Sequence, residues 1–138
     1  MKVVLVYRDL EGRISEESIW VQPVGINYKI DNIPFYAPNL ALNDVISVEN
    51  DEGILYFDEL IEASGHATIQ LIFFQGKESG KVLEHLEKMG CTWEGMKDQP
   101  YFAINVPPTI DYKGVKDFLD DKLKSKVLDY KEACLPLV

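Results

Sequence analysis

The period of the hydrophobic pattern changes near residue 66, and this change constrains the fold more than any other feature. Up to that point the chain is a series of short runs rich in β-branched and aromatic residues, at 2–7, 18–24, 28–31, 45–49 and 54–61. Glycine, asparagine and proline separate these runs, and residues 54–59 show the two-residue alternation of a strand with one buried face. The first half is therefore predicted to be a small β-barrel or curled sheet.

After residue 66, predicted strands and helices alternate. The elements are a strand at 67–74, a helix through 82–89, strands at 91–94 and 101–106 around a turn at 97–100, a helix capped by Asp111, and a strand at 127–135. Val82, Leu83 and Leu86 share one helical face, and Gly90 is placed to end that helix. The order β-α-β-β-α-β is that of a ferredoxin-like unit.

We therefore predict an α+β protein with a β-barrel-like half at 1–65 and a ferredoxin-like half at 66–138, packed as one compact unit. A chain of 138 residues has a common size for a single domain. In the ferredoxin-like order the second and fourth strands lie at opposite edges. Cys91 and Cys134 should consequently be too far apart for a disulfide and are expected to be reduced thiols.

The chain carries no segment that predicts export or membrane insertion. The N-terminal apolar run ends at Arg8 and Asp9, and no stretch approaches the roughly 18 apolar residues of a membrane-spanning helix. We expect a cytoplasmic protein that does not bind membranes.

The net charge of −9 lies in residues 14–76, which hold ten acidic residues and a single base, Lys29. Such a surface repels nucleic acid and anionic lipid and attracts basic proteins. Solubility is the simpler explanation of this acidity, and docking of a basic partner is the functional one.

The motifs of common catalytic, nucleotide-binding and metal sites do not occur in the sequence. We therefore expect no cofactor, no metal and no enzymatic activity. His66 follows Ser64 and Gly65, so it is either a hydrogen-bonded structural turn residue or a functional imidazole. A hydrolase that uses His66 with Asp44 or Glu62 is the less favoured alternative.

Aromatic residues of the first half are interleaved with acids, which argues against single-stranded nucleic acid as the partner. Phe35 and Tyr36 lie between Pro34 and Pro38 and are expected to be partly exposed. Exposed aromatic residues beside carboxylates could bind a basic protein. The predicted binding face consists of Phe35, Tyr36, Asp44, Glu49, Asp51, Glu52, Asp58, Glu59 and Glu62.

Six short stretches in the same order resemble a bacterial family known as domain of unknown function 4265. They are residues 18–21, 31–35, 43–45, 64–68, 103–107 and 129–135. The family often has glycine where this chain has Asn43, and asparagine also tolerates a left-handed turn. The resemblance implies that residues 33–35, 64–66 and 130–135 matter to fold or function, and it implies no activity.

These observations favour a non-enzymatic acidic binding protein. Its concrete form would be an immunity protein or inhibitor that neutralises a basic toxin or nuclease in a bacterium. The alternative is a module that senses a small molecule or associates with itself, and the sequence leaves the oligomeric state open.

Overall fold

The computed structural model describes residues 1–95 and 99–136. In these residues it contains two antiparallel sheets and two α-helices. The strands are β1 (Lys2–Arg8), β2 (Ile14–Val24), β3 (Asn27–Ile30), β4 (Val45–Asp51), β5 (Ile54–Glu62), β6 (Ala67–Phe73), β7 (Thr92–Gly95), β8 (Tyr101–Val106) and β9 (Leu128–Cys134). The helices are α1 (Ser79–Lys88) and α2 (Tyr112–Lys124). The α+β class is confirmed, whereas Lys97 and Asp98 of the predicted turn lie outside the described residues.

The first sheet contains β1 to β5 in chain order, with antiparallel pairing between successive strands. Strands β1 and β5 also meet in parallel at Val4 and Tyr56. Its core consists of Val3, Leu5, Ile19, Val21, Ile30, Ala37, Leu40 and Ile46. Leu55 and Phe57 pack against this core, in agreement with the alternation predicted for that strand.

Strand β2 begins four residues before the predicted residue 18, at Ile14, and its residues 14–20 pair with β1. The predicted strand started too late because residues 15–17 are Ser-Glu-Glu, a polar stretch with low strand propensity. The Asp9 side chain holds the preceding turn, since its Oδ1 atom accepts the backbone N–H groups of Glu11 and Arg13 at 2.9 Å. Pairing of the backbone thus extends the strand through a polar stretch.

The second sheet has the order β7-β8-β6-β9, and every neighbouring pair is antiparallel. Both helices cover one face of it and bury an apolar core that includes Ile69, Leu71, Leu86, Val115 and Leu119. The predicted helix signals are confirmed. Gly90, two residues after the end of α1, has φ +104°, and the Asp111 side chain accepts the N–H of Lys113 at the start of α2.

Cys91 directly precedes β7 and Cys134 ends β9, so the two cysteines lie at opposite edges of the second sheet. Both are free thiols. No helix in the described residues is long and apolar enough to cross a membrane.

The loop between β3 and β4, residues 31–44, joins the two sheets. The Thr68 hydroxyl donates to the carbonyl of Leu40 at 3.1 Å, and the Asn39 N–H donates to the carbonyl of Ala133 at 2.8 Å. Thr68 pairs in the sheet with both Asn105 and Cys134. Ile69, the next residue of β6, packs in the core beneath the helices. Successive residues of a strand point to opposite faces, so Thr68 and the loop bonded to it lie on the sheet face opposite the helices.

Candidate functional site: an acidic hairpin and a junction cleft

The β4–β5 hairpin brings most of the predicted acidic residues together. We call its exposed carboxylates, Glu49, Asp51, Glu52, Asp58, Glu59 and Glu62, the acidic hairpin surface. The hairpin folds because Ile46, Val48, Leu55 and Phe57 supply its inner side, while Glu52 and Gly53 form the turn with positive φ angles of 52° and 89°. The Asn50 side chain accepts the Gly53 N–H at 2.9 Å and closes that turn.

Apolar side chains are exposed among these carboxylates. Ile54 and Ile61 are each 50% exposed, and Leu60 is 43% exposed. Two register shifts interrupt the pairing of β4 with β5 on either side of Ile46. The Ser47 hydroxyl accepts the N–H of Glu59 at 3.1 Å across this irregular segment. The hairpin therefore presents negative charge and apolar area on one exposed element.

No ion pair of the described residues neutralises the acidic hairpin surface. Within residues 1–95 and 99–136, the ion pairs are Arg13–Glu11, Lys88–Glu84 and Lys116–Glu132, and none involves the hairpin. A clustered charge without counter-charges projects a field beyond the surface over roughly the 10 Å Debye length at 0.1 M salt.

Asp44 is a correction to the predicted face, because it is buried with 2% of its surface exposed. Its Oδ2 atom accepts the N–H of Ala41 at 2.9 Å, and its Oδ1 atom accepts the N–H of Ser64 at 2.8 Å. Asp44 thus ties the loop before β4 to the connection after β5. A buried carboxylate with two backbone donors serves the fold and contributes no exposed charge.

Phe35 and Tyr36 lie apart from the acidic hairpin surface, in the loop at 31–44. Their rings meet edge to face with centroids 4.8 Å apart, and Tyr36 is 50% exposed. Both line a cleft of about 620 Å³ where the two halves of the chain meet, and none of the six hairpin carboxylates lines it. The nine residues of the predicted face are consequently distributed over three places.

We call this cavity the junction cleft. One wall is the turn between β1 and β2, from Tyr7 to Glu11, and a second is the loop with Phe35, Tyr36 and Pro38. The floor is the second sheet, through Gln70, Ile72 and Tyr101 and the neighbouring Asp129 and Lys131. Sequence reasoning missed this cleft because its residues come from distant segments that share no local motif.

Two carboxylates hold the walls of the junction cleft. Glu17 of β2 accepts the backbone N–H groups of Phe35, Tyr36 and Ala37 at 2.5, 2.9 and 2.9 Å. Asp9 accepts two N–H groups of its own turn, and these bonds, the Arg13 N–H first among them, lower the Asp9 pKa. The cleft walls are thus fixed by one side chain of β2 and one of the turn between β1 and β2.

His66 is a hydrogen-bonded turn residue. Its ring Nδ1 atom lies 3.1 Å from Oδ1 of Asn105, and its backbone N–H donates to the Ser64 hydroxyl at 3.2 Å. That hydroxyl in turn donates to the carbonyl of Leu42 at 2.7 Å. Gly65 between them has φ +87°. Asp44 and Ser64 are occupied by backbone groups, so neither is oriented as an acid or nucleophile for His66.

A polar network fixes the edge strand β9 to α2. Tyr130 donates to Asp120, while Lys116 Nζ lies 3.2 Å from both the Tyr130 hydroxyl and Glu132. Burial, and then the bond to Glu132, raises the pKa of Tyr112 above its ordinary value. Burial also raises the pKa of Tyr130, and Lys116 has a raised pKa because of its bond to Tyr130. These groups keep their protons at neutral pH and act as donors.

Among residues 1–95 and 99–136, no three His, Cys, Asp or Glu side chains are grouped closely enough to hold a metal ion. Burial raises the pKa of Cys91 to about 11, and burial together with Asp44 raises the pKa of Cys134 to about 11. A thiol with such a pKa is a poor nucleophile at neutral pH.

The fold places this chain among small α+β proteins with two sheets and two helices. The chain belongs to the family described as Domain of unknown function (DUF4265), whose model matches residues 17–130. The matched segment begins at Glu17, the residue that holds the loop at 35–37.

The chain is similar in structure to a hypothetical protein from Neisseria gonorrhoeae. The two are 34% identical, with a TM-score of 0.89, over 99% of this chain and 96% of the other. No curated protein matches the chain.

Proposed function

We propose that the protein is a non-enzymatic binding protein that docks a basic protein partner on the acidic hairpin surface. The observation that carries the proposal is the set of six exposed carboxylates without an ion-pair partner in the described residues. Such a surface accelerates association with a positively charged partner and disfavours acidic competitors.

The exposed Ile54, Leu60 and Ile61 support a protein as the partner. Charge alone gives long-range attraction, but a stable interface also needs apolar anchors that lose their water on contact. The hairpin supplies both on one element. The specific form that we propose is an immunity protein or inhibitor, bound to a basic toxin or nuclease in the bacterial cytoplasm.

The architecture that we infer for this role has two named parts. The contact of β1 with β5 supports a small barrel-like first half. The element order β-α-β-β-α-β and the strand order β7-β8-β6-β9 support a ferredoxin-like second half. The hairpin would then project from the barrel-like half as a preformed docking element.

The test is affinity capture from the native host at low and at high salt, followed by mass spectrometry. A hairpin variant carries lysine at Asp51, Glu52, Asp58 and Glu59. A control variant with the same change of net charge carries lysine at exposed carboxylates outside the hairpin, Glu16, Glu84, Asp117 and Asp121.

We expect a basic protein in near-stoichiometric amount with the wild type and with the control, and its loss with the hairpin variant and at high salt. Addition of the purified protein should then inhibit the activity of that partner. Equal capture by the hairpin variant, with no salt dependence, would refute docking at the acidic hairpin surface.

A further inference from the structure

Strand β9 is an open edge of the second sheet. Among the described residues it pairs with β6 on one side and with no strand on the other. The loop at 31–44 meets β9 at its C-terminal end, where the N–H of Asn39 donates to the carbonyl of Ala133. A register shift interrupts the pairing with β6 at that same end. Residues 128–132 are therefore left as an open edge, and such an edge is a template for another strand.

The backbone of Tyr130 faces away from the sheet. The N–H of Phe73 in β6 donates to the carbonyl of Pro100, on the side of β8. Residues two apart in a strand direct their backbone groups to the same neighbour, so Leu71 also faces β8. Tyr130 lies opposite Leu71 in the pairing of β9 with β6, and its N–H and carbonyl consequently point outward. That N–H donates to the carboxylate of its own neighbour, Asp129, at 2.8 Å.

The side chains of this edge alternate between two faces. Asp129 and Lys131 are exposed on the face that forms the floor of the junction cleft. Tyr130 lies on the helix face, where its hydroxyl donates to Asp120 and Lys116 Nζ lies 5.5 Å from the centroid of its ring. The edge thus carries opposite charges two residues apart, with a fixed aromatic residue between them.

This pattern is self-complementary about a two-fold axis at Tyr130. If two copies of β9 pair antiparallel about that axis, Asp129 of each copy lies opposite Lys131 of the other. Opposite residues share a face and have Cα atoms about 4.5–5.5 Å apart, so both charge pairs can form. Moving the axis by one residue places Asp129 opposite Asp129, or Lys131 opposite Lys131. The charges therefore select one register.

The second half of the chain can approach a copy of itself without strong repulsion. Residues 77–138 hold ten lysines and eleven acidic residues, whereas the net charge of −9 lies in the first half. A strand without the same charge order would leave Asp129 and Lys131 unmatched, which disfavours other partners at this edge.

We propose that the protein forms a two-fold symmetric homodimer through β9, in which the second sheets of two copies join into one continuous sheet with Tyr130 at the axis. The carbonyl of Tyr130 in the second copy replaces Asp129 as the acceptor of the Tyr130 N–H, and Asp129 turns to Lys131 of that copy. The proposal does not depend on docking at the acidic hairpin surface. A single strand pair buries little area, so we expect a weak dimer with a dissociation constant below about 1 mM.

Sedimentation equilibrium at about 0.02–1 mM protein measures the association. Lys131→Asp and Asp129→Lys each place like charges opposite one another, and each should weaken self-association about tenfold or more. Lys81→Asp makes the same change of charge as Lys131→Asp at an exposed position of α1, and it should leave the association unchanged. Lysine substitutions on the acidic hairpin surface should not weaken it either, which separates this result from the proposed partner docking.

An equimolar mixture of the two β9 variants tests the register itself. In a mixed pair every lysine at positions 129 and 131 lies opposite an aspartate, so the mixture should associate as the wild type does, although neither variant does alone. Loss of the fold would give no such recovery, and circular dichroism checks the fold of each variant. A wild type that stays monomeric up to about 1 mM, association that Lys131→Asp leaves unchanged, or folded variants that do not associate when mixed would each overturn the proposal.

Discussion

Glu17 holds Tyr36: the carboxylate of β2 accepts the backbone N–H of a loop residue 19 positions later at 2.9 Å. The same carboxylate binds the N–H groups of Phe35 and Ala37. This loop has prolines at positions 34 and 38 and lacks regular pairing, so its backbone donors depend on a side chain for satisfaction. One half-buried glutamate therefore shapes a wall of the junction cleft.

Glu17→Gln should destabilise the protein. A neutral amide keeps the shape but loses the charge-assisted bonds to three N–H groups, so we expect a loss of about 1–3 kcal/mol in the free energy of unfolding. Urea denaturation measures the change. Glu16→Gln, at the exposed neighbouring position, should change the stability by less than about 0.5 kcal/mol. Equal effects of the two substitutions would contradict this role of Glu17.

Asp44→Asn should lower the stability of the protein more than an Asp→Asn change on the acidic hairpin surface. Asparagine has only one acceptor oxygen, so the N–H of either Ala41 or Ser64 would face an amide NH₂ group instead. We expect a loss of about 2–3 kcal/mol in unfolding free energy. Asp58→Asn is the control, since Asp58 is exposed and accepts a single 3.3 Å bond from Ser47. A tolerated Asp44→Asn would show that the buried charge is not needed.

Alanine substitutions at two glycines should change the stability of the protein in opposite directions. A Cβ at Gly95 would lie 2.3 Å from Cδ1 of Phe102, whereas a Cβ at Gly80 in α1 meets nothing within 4 Å. Gly95→Ala should lower the free energy of unfolding by about 1–3 kcal/mol because the Phe102 ring must move. Gly80→Ala should stabilise by about 0.5–1 kcal/mol because alanine favours the helix. Thermal unfolding shows whether each variant is more or less stable than the wild type. Equal changes in unfolding temperature for the two variants would contradict the packing at Phe102.

The two thiols should react slowly in the folded protein. A pKa of about 11 keeps each thiol protonated at pH 8, and the thiolate is the reactive form. We expect alkylation of Cys134 in a Cys91→Ala variant to be at least about tenfold slower in the folded protein than in urea. The rate should rise with pH until about pH 11. Iodoacetamide labelling followed by mass spectrometry measures it, and rates equal to those in urea would refute the raised pKa.

Local rules predicted most of the second half. Strand β8 occupies the predicted residues 101–106, Gly90 ends α1, and Asp111 caps α2. Each of these signals depends on neighbouring residues only, through backbone angles, capping bonds and the helical period. The early start of β2 was missed because cross-strand pairing with β1 outweighs the low strand propensity of residues 15–17.

The nine residues predicted as a binding face do not form one surface. Six carboxylates do lie exposed on one hairpin, because the turn at residues 50–53 brings the two strands together. Asp44 is buried, and Phe35 and Tyr36 belong to the junction cleft. Their positions depend on contacts with Ser64 and Glu17, 20 and about 19 residues away, which no local pattern shows.

The sequence by itself determined the α+β class, the order of the elements and the concentration of negative charge in the first half. These properties follow from side-chain periodicity and composition, which act over a few residues. Only the tertiary structure decided which polar groups are buried and how Gln70, Tyr36 and Tyr101 come to surround one cleft. The physical reason is that burial and long-range hydrogen bonds depend on how two sheets pack, and packing joins residues that are distant along the chain.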